Sequence, residues 1–288
     1  MTRWCLKLFS LDLEENMMSQ PILTTPTYLQ QQREKPKWVD EEAEAMLACL
    51  PKRTPVFHYQ SMPKMEAAAH TVNDSWYCVF VEVPERICDD KREKVKIGRI
   101  QHYPKAKIII AKMPGKSHEI AAHLVAVSIY DQMRDCRMRL WGNLKETGSV
   151  LLDGKEPDVS LQPTLLPPGR SEIWPTLVVE AGRSESHAAL ERDAHWWRCH
   201  PNGAVGVVIT IKVSKTKITI KRYDPAGLQD DILIKRGRRQ NATVTVTGGP
   251  LTIPFADLFL RQPVGAQSDF VLDAAELEEW AREIWLEF

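Results

Sequence analysis

The run Leu177-Val178-Val179-Glu180 constrains the fold more than any other stretch of the 288-residue chain. Three successive apolar residues, bounded by Pro175 and Gly182, have the pattern of a strand covered on both faces. A strand of that kind needs a layer of helix on either side. The sequence supplies them: Ser117 can cap a helix continuing to about Met133, and a second helix is expected over 186–199 with Leu190, Ala194 and Trp197 on its buried stripe. Between them Cys136 to Leu140 alternates as a strand would, Val150 to Leu152 is followed by the turn signal Asp153-Gly154, and Val159 and Leu161 share one face of a strand over 157–162. Val205 to Val213 is a further strand, joined through a turn at 214–217 to Ile218–Tyr223. The element order is helix, strand, strand, strand, helix, strand. The predicted fold class is therefore α/β, an αβββαβ core with a mixed sheet flanked by helices.

Upstream, residues 1–38 hold Pro21, Pro26, Pro36 and a glutamine run and read as a flexible lead-in. Residues 39–112 read as a helix over 41–50, capped by Asp40, followed by strands over 76–83, 94–100 and 107–112, a β-rich N-terminal extension. Residues 113–288 form the main domain, with a Thr/Val strand over 242–247 and an amphipathic helix over 273–285.

Composition excludes more than it proposes. Lys and Arg balance Asp and Glu at 38 each, so net charge draws the chain neither to nucleic acid nor to anionic lipid. The six cysteines contain no Cys-x-x-Cys pair, which speaks against a zinc knuckle and for a reducing, intracellular compartment, cytoplasmic or nuclear. No apolar run reaches the roughly 18 residues of a membrane span, so no membrane contact is expected. Asn241-Ala242-Thr243 matches a glycosylation acceptor without a secretory signal before it. Gly182-Arg183-Ser184-Glu185-Ser186 is only a partial echo of a nucleophile elbow, and no phosphate-binding glycine loop occurs.

The chemistry-bearing words are Lys155-Glu156-Pro157-Asp158 and Leu177-Val178-Val179-Glu180. A carboxylate at the start of one strand and another at the end of an apolar strand are costly to bury unless a cation, hydrogen bonds or water compensate them. A divalent cation would do so, and Mg²⁺ commonly uses one or two carboxylates plus water and phosphate oxygens. Glu119, in the first turn of the preceding helix, could assist, although it also suits a helix N-terminus by charge alone.

With Met113-Pro114 and His118-Glu119 before them, and with Trp174-Pro175-Thr176 and Ala181-Gly182 flanking the second word, these segments resemble the PD-(D/E)XK, or restriction-endonuclease-like, superfamily. More narrowly, they are similar to an uncharacterised fungal group related to small predicted bacterial endonucleases. The resemblance covers about residues 106–223, and 251–288 share its character. It implies a restriction-endonuclease-like fold and a Mg²⁺-dependent (or Mn²⁺-dependent) phosphodiesterase, with Glu119 as the helix acid and Asp158 and Glu180 as metal ligands. One departure stands out. The family lysine, two residues after the second acid and so on the same strand face, is replaced here by Gly182. In the bacterial relatives a lysine on the following helix takes that role, and Asp193 occupies the equivalent place here. Lys155, Arg183, Arg192 and Lys212 are the candidate substitutes, with Lys155 preferred for its closeness to Asp158. The alternative is a non-catalytic nucleic-acid-binding or protein-interaction module on the same fold.

Other features carry two readings each. Lys235, Arg236, Arg238 and Arg239 form a basic loop suited to phosphate contact or nuclear import, and equally to a solvated turn. His195, Cys199 and His200 could ligate a soft metal, but surface and packing roles are favoured. Trp196 is the better exposed candidate for base stacking, whereas Trp197 belongs to the core stripe.

Overall fold

The computed structural model describes residues 23–24, 41–72, 77–87, 97–113, 115–139, 142–148, 151–183, 185–200, 204–237 and 243–288. The chain divides into two compact units, Met1–Pro114 and Gly115–Phe288. Both are mixtures of helix and mixed sheet.

In the first unit, strand order is β1-β2-β3-β5-β4, formed by β1 (Leu23–Thr24), β2 (Pro55–His58), β3 (Tyr77–Val81), β5 (Ile108–Lys112) and β4 (Arg99–Tyr103). Only β2 and β3 run parallel; β1 joins the sheet by pairing with Pro55 and Val56, from within the stretch expected to be a loose lead-in. Helix α1 (Glu41–Cys49) places Ala43, Met46 and Leu47 against Val56, Val79, Val81, Ile108 and Ile110. Strand β2 and helix α2 (Met62–His70), which Ser61 caps, were not foreseen. The strand expected over 94–100 instead runs from Arg99 to Tyr103, because its apolar residues pair antiparallel with Ile108–Lys112 across a tight connection.

The second unit contains helix α3 (Lys116–Asp135), strands β6 (Leu144–Glu146), β7 (Val159–Pro163) and β8 (Leu177–Gly182), helix α4 (His187–Cys199), then β9 (Val207–Val213), β10 (Lys217–Asp224), β11 (Gly227–Lys235) and β12 (Thr245–Thr247). These strands form one seven-stranded sheet ordered β12-β11-β10-β9-β8-β7-β6. The pair β8/β9 is parallel, as a crossover through α4 allows, and every other neighbour is antiparallel. Strands β13 (Leu251–Ile253) and β14 (Phe270–Leu272), the short helix α5 (Phe255–Phe259) and helix α6 (Ala274–Trp285) complete the unit.

Period-two alternation sorts β8 between two cores. Leu177, Val179 and Ala181 face a large cluster with α3 and α6 residues such as Val125, Ile129, Leu277 and Trp280. Val178 faces the other way, toward Ala194, Trp196 and Trp197 of α4 and Leu152, Val205, Val208 and Tyr223. Strand β8 is buried along its whole length.

Several sequence expectations need correction. Cys136 and Arg137 form a turn closing α3, with Arg137 at φ 57°, so the first strand after the helix is Leu144–Glu146 rather than 136–140. Leu152 makes an isolated bridge to Lys155. Lys235 is the last residue of β11 and not part of a loop. Arg238, Arg239 and the acceptor asparagine Asn241 lie outside the described residues. Among those residues, no helix is long and apolar enough to cross a membrane.

Candidate active site

The candidate site is assembled at the carboxyl end of β8. Its first component is a two-residue hairpin: Leu152 and Lys155 exchange backbone hydrogen bonds of 2.8 and 3.0 Å, closed by Asp153 and Gly154 at φ 48° and 84°. Paired positive φ values are what an Asp-Gly turn of the primed type requires. Leu152 roots the turn among the α4 tryptophans. Lys155 then lies 5% exposed, forming an ion pair with Asp193 of α4, its ammonium 5.9 Å from the centre of the Trp196 ring.

Asp158 follows at the entrance of β7. Register pairs Val159 with Val179, so continuing it by one residue sets Asp158 opposite Glu180. Asp158 is 4% exposed, and its Oδ2 accepts a hydrogen bond of 2.8 Å from the Ala181 amide. The same oxygen is 2.7 Å from Nε2 of His118, both side chains being 2% exposed. Glu180 is 3% exposed and its Oε1 accepts a 2.6 Å hydrogen bond from the Trp197 indole nitrogen.

These contacts tie down a cluster of buried polar groups. His118 holds Asp158, Asp158 holds the Ala181 amide beside Glu180, Glu180 holds Trp197, and one turn back along α4 Asp193 holds Lys155. Residues 193, 196 and 197 share a helix face, which is why one stripe of α4 serves both Lys155 and Glu180. Ser186 fixes the start of α4 by accepting from the Ala189 amide at 3.1 Å.

Glu119 stands apart in character. Its side chain is 36% exposed and 3.9 Å from His123 one turn onward, while its neighbour His118 is the α3 residue that reaches Asp158. The other candidate cations are placed as follows. Lys212 donates to the Arg183 carbonyl at 2.6 Å, and its pKa is lowered, first by burial, with Glu185 acting in the opposite sense. Arg183 lies over the Phe288 ring at 4.2 Å, and Arg192 is on the exposed side of α4.

Gly182 has a structural reason. A Cβ built there would stand 2.5 Å from Oε2 of Glu185, which is itself only 3% exposed. The space that a motif lysine would enter from β8 is filled by an acid.

Trp196 is not an exposed stacking platform. It is 6% exposed, edge-to-face with Trp197 at 4.8 Å and stacked on His200 at 4.2 Å. His195 and Cys199 lie 3.7 Å apart on α4. Among the described residues, no group of three or more His, Cys, Asp or Glu side chains is arranged to hold a metal ion. The donors at the carboxyl end of β8 nevertheless suit a hard dication in kind and at the minimum number, since two carboxylates on adjacent strands can serve as the nucleus of a Mg²⁺ site.

A separate cleft of about 690 Å³ lies near the amino ends of β8 and β9, lined by Arg170, Trp174, His200, Gly206 and Asp257 among others. The Arg170 guanidinium there is committed to the carbonyls of Trp174, Pro175 and Ala204. That cation fastens loops, so the ionisable cluster at the other end of β8 is the better candidate for chemistry.

No family model matches the chain, and no curated protein matches it. A crystal structure from Anabaena variabilis, described as a "putative nuclease", is similar over 64% of this chain and 90% of its own, at 12% identity and a TM-score of 0.36.

Proposed function

We propose that the unit Gly115–Phe288 has a restriction-endonuclease-like core and cleaves phosphodiester bonds with a divalent cation, Mg²⁺ or Mn²⁺, held by Asp158 and Glu180. The observation carrying this reading is the burial of those carboxylates opposite one another on neighbouring strands, with the Lys155 ammonium held against the same α4 stripe. Desolvating His118, Lys155, Asp158, Glu180 and Asp193 opposes folding, and a well-packed apolar cluster would be at least as stable.

The bound cation would lower the pKa of a water and stabilise charge on phosphoryl oxygens. The chain's own groups have separable tasks. The Ala181 amide and His118 orient Asp158, and the Trp197 indole orients Glu180. Lys155 takes the place of the motif lysine as the fixed positive charge, arriving from the turn before β7 instead of from β8, and Asp193 holds it. Glu119, partly exposed at the start of α3, assists from the rim. Lys235 and Arg236 are exposed and suit phosphate contacts along a nucleic acid.

The second reading, a binding module without turnover, is favoured by one observation: Glu185 fills the space beside Gly182. The two are separated by assaying cleavage of single- and double-stranded DNA and RNA with Mg²⁺ or Mn²⁺. Wild type should cleave, and Asp158→Ala, Glu180→Ala and Lys155→Ala should not. Cleavage persisting in both carboxylate variants excludes this site; absence of cleavage together with retained nucleic-acid binding in a mobility-shift assay supports the module.

A further inference from the structure

The side of the sheet on which α4 packs is covered only in part. Helix α4 lies over β8 and β9. Alternation along β10, β11 and β12 brings Lys217, Thr219, Lys221, Lys235, Thr245 and Thr247 to that same side, each exposed or half-buried. Ile218, Ile220, Ile232 and Ile234, which alternate with them, face the opposite core. Lys217 and Lys235 stand directly opposite each other in the antiparallel register, a relation in which like charges destabilise a strand pair. Neither makes an ion pair among the described residues, whereas Lys221 is held by Glu191 of α4 at 2.8 Å. The positive field reaches α4. His187, in its first turn, has its pKa lowered by burial and then by Lys217, Lys212 and Lys221, with Glu191 acting in the opposite sense. In a chain whose charges balance at 38 of each sign, positive charge is concentrated on this face.

We propose that this open face of β10, β11 and β12 docks a nucleic-acid duplex by its phosphates, without reading base or sugar. Lysine ammoniums and threonine hydroxyls are phosphate-contacting groups, and a shallow sheet face of such residues has no element that enters a groove to reach base edges. Single strands are held differently, by basic grooves combined with exposed aromatic rings on which bases stack. The aromatic residue on this side of β10, Tyr223, is 7% exposed and packs in the α4 core. Glu180, bonded to Trp197 of α4, points to this same side of the sheet, so a docked duplex stays on the side that carries the candidate active site. The inference deepens the nuclease reading by giving it a substrate surface, and binding here does not require turnover at Asp158 and Glu180.

The test follows fluorescence anisotropy of a short labelled DNA duplex, an RNA duplex of the same sequence and the single DNA strand, each titrated with the full chain in EDTA so that no metal-dependent cleavage intervenes. Wild type should bind the two duplexes within about threefold of each other and the single strand at least about tenfold more weakly. Lys217→Ala combined with Lys235→Ala should weaken duplex binding by at least about tenfold and reduce the slope of log affinity against log salt by about two. Lys145→Ala, on β6 at the other edge of the same sheet, should bind as wild type. Lys217→Thr relieves the opposed charges and suits a strand, so its Tm should not fall below wild type while its duplex binding weakens, which separates lost binding from lost fold. Asp158→Ala should retain duplex binding; lysine-dependent binding by a wild type that never cleaves removes the nuclease reading and leaves this face standing. Unchanged affinity and salt slope in the double lysine variant overturns the docking face, even where wild type cleaves. A wild type that binds no duplex, or prefers the single strand, overturns it as well.

Discussion

At the residue scale, the Lys155–Asp193 pair shows why charge in this core is tightly coupled. Each side chain is 6% exposed, so neither charge can be left alone without a large cost. Asp193→Ala should lower unfolding free energy by about 3–5 kcal/mol in urea titrations, whereas Lys155→Met combined with Asp193→Leu should recover most of it. A single-variant cost well under 1 kcal/mol would mean that the pair is hydrated. Glu180 calls for a different comparison. Glu180→Ala strands the Trp197 indole N–H in the core, a loss of about 1–3 kcal/mol, while Glu180→Gln keeps an acceptor and should stay near wild-type stability yet lose cation binding by calorimetry. Cys78 supplies a pH signature in the first unit. Burial pushes its thiol from 9.0 up to about 12, so the unfolded chain releases this proton first. Its contribution to stability is intact below about pH 9 and is lost as pH rises toward 12. Denaturation midpoints measured along that range should fall more steeply for wild type than for Cys78→Ala; parallel slopes would show the thiol to be accessible.

At the element scale, the end of β8 and the start of α4 decide whether a side chain can be placed at position 182. A side chain at 182 must displace Glu185, whose Oε2, Cδ and Cβ all lie within 3.0 Å of the added Cβ. Gly182→Lys should therefore lower Tm, by an overpacking cost of about 1–3 kcal/mol, and Glu185→Ala in the same chain should relieve it. Equal Tm values for the single and double variants would show that Glu185 moves aside freely. Much at this scale was legible beforehand. The continuous apolar run gave β8, and the apolar stripe gave α4, because local periodicity is written in neighbouring residues, whereas the cap read at Ser117 falls to Gly115 without a side-chain hydrogen bond. The strand read at 136–140 failed for the converse reason. Its alternation is real, but α3 ends there in a turn with Arg137 at positive φ, and the residues that complete the sheet edge are Leu144–Glu146, chosen by pairing with β7. Short alternating stretches leave that choice to the partner strand.

At the scale of the whole molecule, the second unit has its own two-sided core and every group of the candidate site. A fragment spanning residues 115–288 should therefore unfold cooperatively and retain near-UV circular dichroism from its tryptophans. A broad, non-cooperative transition would show that the first unit is needed for its packing. The sequence by itself determined that a helix-flanked mixed sheet forms and that Glu180 follows the apolar run of a buried strand, since that period is a local property, although the strand continues past Glu180 to Gly182. It could not determine which side chains meet them. That His118 turns to Asp158 and that Lys155 finds Asp193 depend on contacts across tens of residues, and Glu185 closes the space at Gly182 only through the way the chain leaves β8. Only the packing of α3 and α4 on opposite faces of the sheet brings those groups within hydrogen-bonding distance, and burial then makes each pairing costly to undo.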